Sequence, residues 1–600
     1  MLYPHSNPYR QVVDLSGFWD LAFDPEGQGS QTGWAGGFAG GRPAAVPASW
    51  NDQFEDWRDY LGPTWYQTRF DLPWGWDATR QRFMLRFNSV NYLADVWLNG
   101  VRLGQHEGGH LPFEFDVTPH VHPEDNLLVV RVEGELAPDR VPPGNVPIDP
   151  RHTFATLNFP PGSFDFFPFC GIQRPVLLYT LPREAIADVS VTTDIEGKDG
   201  LVRVKVTQSE GNSAIARVAV RGMHVSAETA FSGATAEVAL TIPDATVWSP
   251  DSPHLYDLII ELARGDKTLD RYTLPIGVRT IKVEGDTLLL NGQSVYLRGF
   301  GRHEDFPVTG RGLLPAVIVK DYAMMKWIGA NSFRTTHYPY SDQMMDLADR
   351  LGFLVIDETP AVGLFFAQEG LERRLQICRQ YVQELVARDK NHPSVIMWSL
   401  ANEPHSDHPA AKSFFHNLYN LAKSLDVTRP ITLVSSKGLL EESFEFLDVL
   451  CLNRYYGWYN QSGQLDAACE QLSKELDAMH TRFDKPLILT EFGADTIPGC
   501  HALPPEMFSE EFQAEMLTRY LEVLRGKSFV IGEHIWNMCD FKTGQDVRRM
   551  GGMNYKGVFT RDRRPKLAAH RLRELWRNTD YWRTAADDRL WSAVSGRRSF

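Results

Sequence analysis

From about residue 276 onward, short apolar runs alternate with helix-length segments, and no other feature of the chain constrains its fold so tightly. The runs fall at 295–300, 332–335, 353–356, 395–398, 431–434, 449–452, 487–490 and 530–535. Helical patterns follow at about 316–328, 341–351, 369–390, 410–425, 437–444, 467–482, 508–526 and 566–577. Eight strand–helix units in about 325 residues predict a (β/α)8 TIM barrel. A doubly wound sheet would carry a glycine-rich phosphate turn after its first strand. Here Leu297-Arg-Gly-Phe-Gly-Arg-His leads into the loop instead.

The residues before the barrel read as two β segments. Up to about residue 181 the chain offers short β-type runs punctuated by Gly, Pro and Asp, without a 3.6-residue period. Ala94-Asp-Val-Trp-Leu, Asn99-Gly100 and Val101-Arg-Leu-Gly predict a hairpin with a type I′ turn. A jelly-roll β-sandwich is expected over 1–181. Strands such as Leu201-Val-Arg-Val-Lys-Val and Leu258-Ile-Ile-Glu-Leu then predict an immunoglobulin-like β-sandwich over 182–275, without a Cys–Trp–Cys core. The barrel is assigned to 276–600, and 600 residues are indeed too many for a single core.

Charge narrows the function. With 61 basic and 76 acidic residues, the net charge of −15 argues against nucleic acid and anionic membranes as partners. No apolar run approaches the ~18 residues that cross a bilayer. The N-terminal residues lack a signal-peptide pattern, so the expected location is cytoplasmic. The six cysteines are scattered with no CxxC pair, which predicts free thiols.

Barrel active sites lie at the C-terminal ends of the strands. The polar residues there are Arg302, His303, Glu304 and Asp305; Arg334, Thr336 and His337; Asp357 and Glu358; Asn402 and Glu403; Asn453, Arg454, Tyr455 and Tyr456; Glu491; and Trp536, Asn537 and Asp540. Paired carboxylates with aromatic walls suit glycosidic-bond hydrolysis. One acid protonates the leaving oxygen while the other attacks the anomeric carbon or activates water. Glu403 and Glu491, each straight off an apolar strand, are the candidate pair. No HExxH or His-x-His spacing supports a metal centre, and neither metal nor cofactor is expected.

At these residues the chain resembles glycoside hydrolase family 2 along nearly its whole length. Val96-Trp-Leu-Asn-Gly-Val-Arg-Leu-Gly resembles the family's first domain, Asn402-Glu403-Pro404 its acid/base motif, and Thr490-Glu491-Phe-Gly its nucleophile strand. The resemblance implies that Glu403 is acid then base and Glu491 the nucleophile. Hydrolysis would then be retaining, with carboxyls about 5–5.5 Å apart rather than about 6.5–9.5 Å. Glu403 is expected to stay protonated while Glu491 is charged. Within the family, Ser332-Phe-Arg-Thr-Thr-His-Tyr-Pro-Tyr and Leu452-Asn-Arg-Tyr-Tyr-Gly-Trp-Tyr look most like the β-glucuronidases.

Asn554-Tyr555-Lys556 resembles the Asn-x-Lys pair by which that group holds the sugar C6 carboxylate. An ammonium and an amide two residues apart suit such a clamp. The resemblance places Asp165 and His337 on sugar hydroxyls and Asn402 at the 2-hydroxyl. It places Tyr455 beside the nucleophile, and Tyr459, Trp536 and Arg549 around the carboxylate and ring. The run from Arg549 to Asn554 is one residue longer than the family pattern, which leaves the role of Arg549 open. The segment from Val362 to about Glu369 is short, so an open site accepting bulky aglycones or sugar chains is expected. The implied partner is a small-molecule or oligosaccharide glucuronide, and the implied assembly a dimer or tetramer of identical chains. A β-galacturonidase, a β-galactosidase and a non-catalytic carbohydrate-binding protein are the alternatives. Both glutamates being present disfavours the last.

Overall fold

The computed structural model describes residues 1–146, 159–209, 214–366 and 369–577. Its first part packs two antiparallel sheets face to face. One has six strands, in the order Arg42–Val46, Gly17–Phe23, Thr64–Phe70, Asn126–Glu133, Leu93–Leu98 and Val101–Glu107. The other orders Val12–Asp14, Val176–Pro182, Gln81–Phe87 and Phe113–Asp116. Trp19, Tyr66, Leu85, Phe87, Val96 and Val130 are buried together in the core of this sandwich. Asn99 and Gly100 have φ of 52° and 79°, the two positive values a type I′ turn requires, and Leu98 pairs with Val101 across them.

The second sandwich sets three strands, Ile186–Glu196, Asp199–Gln208 and Thr235–Ile242, against four, Ser226–Ala230, Ile215–Val220, Tyr256–Arg264 and Lys267–Ile276. Alternation directs its core: Val202, Val204 and Val206 are buried while Arg203 and Lys205 between them are exposed.

Eight parallel strands then close into a barrel. They are β1 (Leu297–Gly301), β2 (Ser332–Arg334), β3 (Leu354–Glu358), β4 (Val395–Asn402), β5 (Ile431–Ser435), β6 (Leu450–Asn453), β7 (Leu487–Glu491) and β8 (Val530–Ile535). Among the described residues seven helices surround it: α1 (Pro315–Ile328), α2 (Asp342–Leu351), α3 (Leu371–Asp389), α4 (Ala411–Leu425), α5 (Leu465–Phe483), α6 (Glu510–Arg525) and α7 (Leu567–Arg577). Ile281 and Leu290 come from a small sheet that precedes β1. They pack with Trp248 onto Leu297, Ile356, Met397, Val434 and Ile488, closing the N-terminal end of the barrel.

Two readings change here. The helix expected at 437–444 is a pair of 3-10 turns, Gly438–Leu440 and Glu442–Glu445. Gly438 has φ of 59°, and a Cβ there would lie 2.3 Å from the Arg454 guanidinium, so the chain cannot continue as an α-helix. The polar residues expected just past several strands instead finish them: Glu358 ends β3, Asn402 ends β4 and Glu491 ends β7. Residues 367 and 368 of the short segment after Val362 lie outside the described residues. Among those described, no helix is long and apolar enough to cross a membrane.

Candidate active site

The C-terminal ends of the strands surround a cavity of about 660 Å³. Asp165, His337, Asn402, Glu403, Tyr455, Tyr459, Trp536, Arg549, Asn554 and Lys556 all line it. Glu491 lies directly behind Tyr455, whose hydroxyl donates to its Oε2 at 2.7 Å.

Glu491 is set by its neighbours on other strands. Arg334, the last residue of β2 and fully buried, donates through Nη2 to Glu491 Oε1 at 2.6 Å. Its Nη1 reaches both oxygens of Glu358 at 2.9 and 2.8 Å. Glu358 also accepts from Ser399 at 2.8 Å and meets His337 Nδ1 at 2.8 Å. The imidazole is thereby held with Nε2 3.7 Å from Glu491. Stacking on Trp536, at 5.0 Å between ring centres, fixes its plane.

Glu403 leaves β4 with φ of 44°, a left-handed conformation that costs a non-glycine residue roughly 1–3 kcal/mol. Asn453, at the end of β6, donates to its Oε1 at 2.8 Å. Thr490 orients that amide by donating to Asn453 Oδ1 at 2.9 Å. Burial raises the Glu403 carboxyl above its ordinary range, against the pull of Asn453 and Arg334. Burial also pushes Glu491 up to about 8, opposed by Arg334 and reinforced by Glu403. Both carboxyls are thus held above their ordinary range, each by burial and Glu491 also by the neighbouring Glu403.

A second cluster forms the other side of the cavity. Lys556 Nζ donates to Asp495 and, at 3.0 Å, to the Tyr459 hydroxyl. Arg549 pairs with Asp165 through Nη2 and, at 2.9 Å, through Nε. It reaches Asp495 at 3.3 Å through Nη1 and donates to Tyr459 at 2.9 Å. Asn554 Nδ2 donates to Asp165 at 2.9 Å. The longer run after Arg549 therefore still delivers its guanidinium to the cavity. Asp165 belongs to the first sandwich, so that domain supplies one wall of the barrel's mouth.

Sequence reasoning missed Asp495, four residues beyond Glu491. Arg334, Glu358 and Asn453 stood among the strand-end residues but carried no assigned role. A single chemical signal pointed to such acids: two cations predicted in one dry site need counter-charges.

Such a mouth, with two glutamates on facing strands beside a cationic cluster, is the arrangement of a sugar-cleaving barrel, and the comparisons agree. The chain matches "Glycosyl hydrolases family 2, sugar binding domain" over residues 12–182. It matches "Glycosyl hydrolases family 2" over 184–279 and the family's "TIM barrel domain" over 281–581. It belongs to glycoside hydrolase family 2, and is an O-glycosyl hydrolase.

A β-glucuronidase of Paenibacillus borealis is 41% identical to it, over 96% of this chain and 98% of that one. The β-glucuronidase of Mus musculus is 38% identical, over 98% and 93%. A solved β-glucuronidase from Ruminococcus gnavus, in complex with D-glucuronic acid, is 37% identical and superposes with a TM-score of 0.89. That alignment covers 96% of this chain and 99% of the other.

Proposed function

We propose that the protein hydrolyses β-D-glucuronides with retention of configuration, through a covalent glycosyl-enzyme. The observation that carries this reading is the convergence of Asn554, Lys556 and Arg549 on one side of a cavity whose other side holds Glu403 and Glu491. A uronate presents a carboxylate at C6, and charge-assisted hydrogen bonds from an ammonium and an amide suit it. A neutral sugar would leave these buried donors without that partner.

In the first step the Glu403 carboxyl donates its proton to the glycosidic oxygen as a Glu491 oxygen attacks C1. The aglycone leaves as the alcohol. In the second, the Glu403 carboxylate takes a proton from water, which attacks C1 and releases Glu491. Once the pair has lost one proton, the charge belongs on Glu491, which accepts from a guanidinium and a phenol, whereas Glu403 accepts from one neutral amide. Once Glu491 is esterified its charge is gone, and Glu403 ionises more easily. Asp165 and His337 are assigned to the sugar hydroxyls and Asn402 to the 2-hydroxyl. Tyr459 and Trp536 are assigned to the carboxylate end and the ring face.

The test is release of colour from aryl β-glucuronide, β-galacturonide and β-galactoside by the wild type and by Lys556→Ala. The expected result is a clear preference for the glucuronide that collapses in the variant. Faster galacturonide turnover would assign the C4 epimer instead, and an α-anomeric first product seen by NMR would overturn retention.

A further inference from the structure

At the opposite end of the barrel a second cleft, of about 240 Å³, opens between the immunoglobulin-like sandwich and the start of β4. Its lining carries four cations, Arg279, Lys282, Lys390 and Arg429, and one carboxylate, Asp194. Two of the cations are already matched: Lys390 pairs with Asp188, and Arg429 with Asp426 at 2.7 Å.

The other two have no carboxylate partner among the described residues. Arg279 is only 6% exposed. It donates to the carbonyls of Pro393 at 2.9 Å and Val395 at 2.6 Å. The Lys282 side chain, on the rim, makes no hydrogen bond or ion pair among the described residues. Thr192 and Thr280 add hydroxyls. A buried guanidinium bonded only to carbonyls is costly, and the charges of Asp426 and Asp349 offset only part of that cost. Burial and the neighbouring Arg429 pull Arg279 down to about 9. The volume is several times the roughly 30 Å³ of one water.

We infer that this cleft is an anion site, taking one tetrahedral oxyanion, sulfate or phosphate, free or as an ester on a sugar. The oxyanion bridges Arg279 and Lys282 and neutralises the seam between sandwich and barrel. The seam is already drawn together by Thr193, whose hydroxyl donates to the Arg279 carbonyl at 2.7 Å.

Thermal unfolding of the full chain in sodium sulfate and sodium phosphate, with ionic strength held by sodium chloride, tests it. The wild type should show a saturable Tm rise, about 1–2 °C at ten times the dissociation constant. Lys282→Gln, which removes an exposed side chain that bonds to nothing, should keep the wild-type Tm in chloride and lose the rise. Arg279→Lys should weaken it. Lys556→Ala should retain it, since that variant disables the cation cluster at the cavity. A glucosamine 6-sulfate arm separates the sources: tighter binding than inorganic sulfate indicates the ester, equal binding the free ion. A linear, unsaturable rise shared by all variants would be general salt exclusion and would overturn the site. A rise abolished only in Lys556→Ala would overturn it too.

Discussion

Arg334 decides how far Glu491 can ionise. Its guanidinium is the main force opposing the burial that raises the carboxyl. Replacing Arg334 with Gln removes that force, so the acid limb of the kcat/KM profile should move to higher pH. Arg334→Lys, which keeps a charge but not the fork, should move it less. An unmoved acid limb in the Gln variant would show that another group sets it. The same burial has a stability consequence with a definite sign. Glu491 is raised from 4.5 to about 8, so below pH 4.5 it is neutral in both folded and unfolded chains. Between those values the unfolded chain releases its proton while the folded one keeps it, and stability falls with rising pH. Glu491→Gln should therefore unfold at a higher temperature than the wild type. The gap should grow by up to about 1.4 kcal/mol per pH unit and level off above about pH 8. Calorimetry across this range checks it. Glu403 and Glu491 were legible in the sequence because each follows an apolar strand whose end a barrel exposes. Asp495 was not legible, because it sits in a loop and its meaning comes only from Lys556 and Arg549, which lie more than fifty residues later.

The loop that carries Asn554 and Lys556 is pinned from behind by a buried ammonium. Lys566 donates to Asp540 at 2.8 Å and to the carbonyls of Thr496 and Tyr555, each at 2.9 Å. Gln513 on α6 adds bonds to the carbonyls of Lys556 and Gly557. Lys566→Met should loosen this loop, raising KM for a glucuronide more than it lowers kcat. It also strands Asp540, whose carboxyl burial already pushes to about 7, so the cost should be about 3–5 kcal/mol at pH 8. Without the ammonium that opposes burial, the Asp540 carboxyl rises further, so the cost should grow as pH rises above about 7 and be flat below it; a penalty constant from about pH 6 to 9 would place the effect in packing instead. At this scale the eight strands and seven of the eight helical segments were readable, since apolar runs and amphipathic periods are local. The ends of β3, β4 and β7 were not, because Glu358, Asn402 and Glu491 extend strands through bonds to partners on other strands. The missing eighth helix turns on Gly438, whose constraint is the approach of Arg454 from the next strand.

Across the whole molecule, the net charge of −15 is at odds with an anionic substrate unless cations are gathered locally. The gathering needs two domains: Arg549 is held between Asp165 of the first sandwich and Asp495 of the barrel. The two acids and the two cations Arg549 and Lys556 cancel one another, which allows the cations to be buried there at all. Asp165 is the more exposed acid, its side chain 39% exposed against 3% for Asp495. An ion pair with one partner so exposed contributes little to folding. Its contribution to the site should be larger, because it fixes the guanidinium and is assigned a sugar hydroxyl. Asp165→Ala should therefore lower kcat/KM for an aryl glucuronide by about 10–100-fold, matching the loss of a charge-assisted hydrogen bond. Its Tm should stay within about 2 °C of the wild type, the shift expected for a surface change in a chain of this size. Kinetics and thermal unfolding on the same preparation separate the two. A large fall in Tm with unchanged kcat/KM would make Asp165 a domain clamp and remove the first sandwich from the active site.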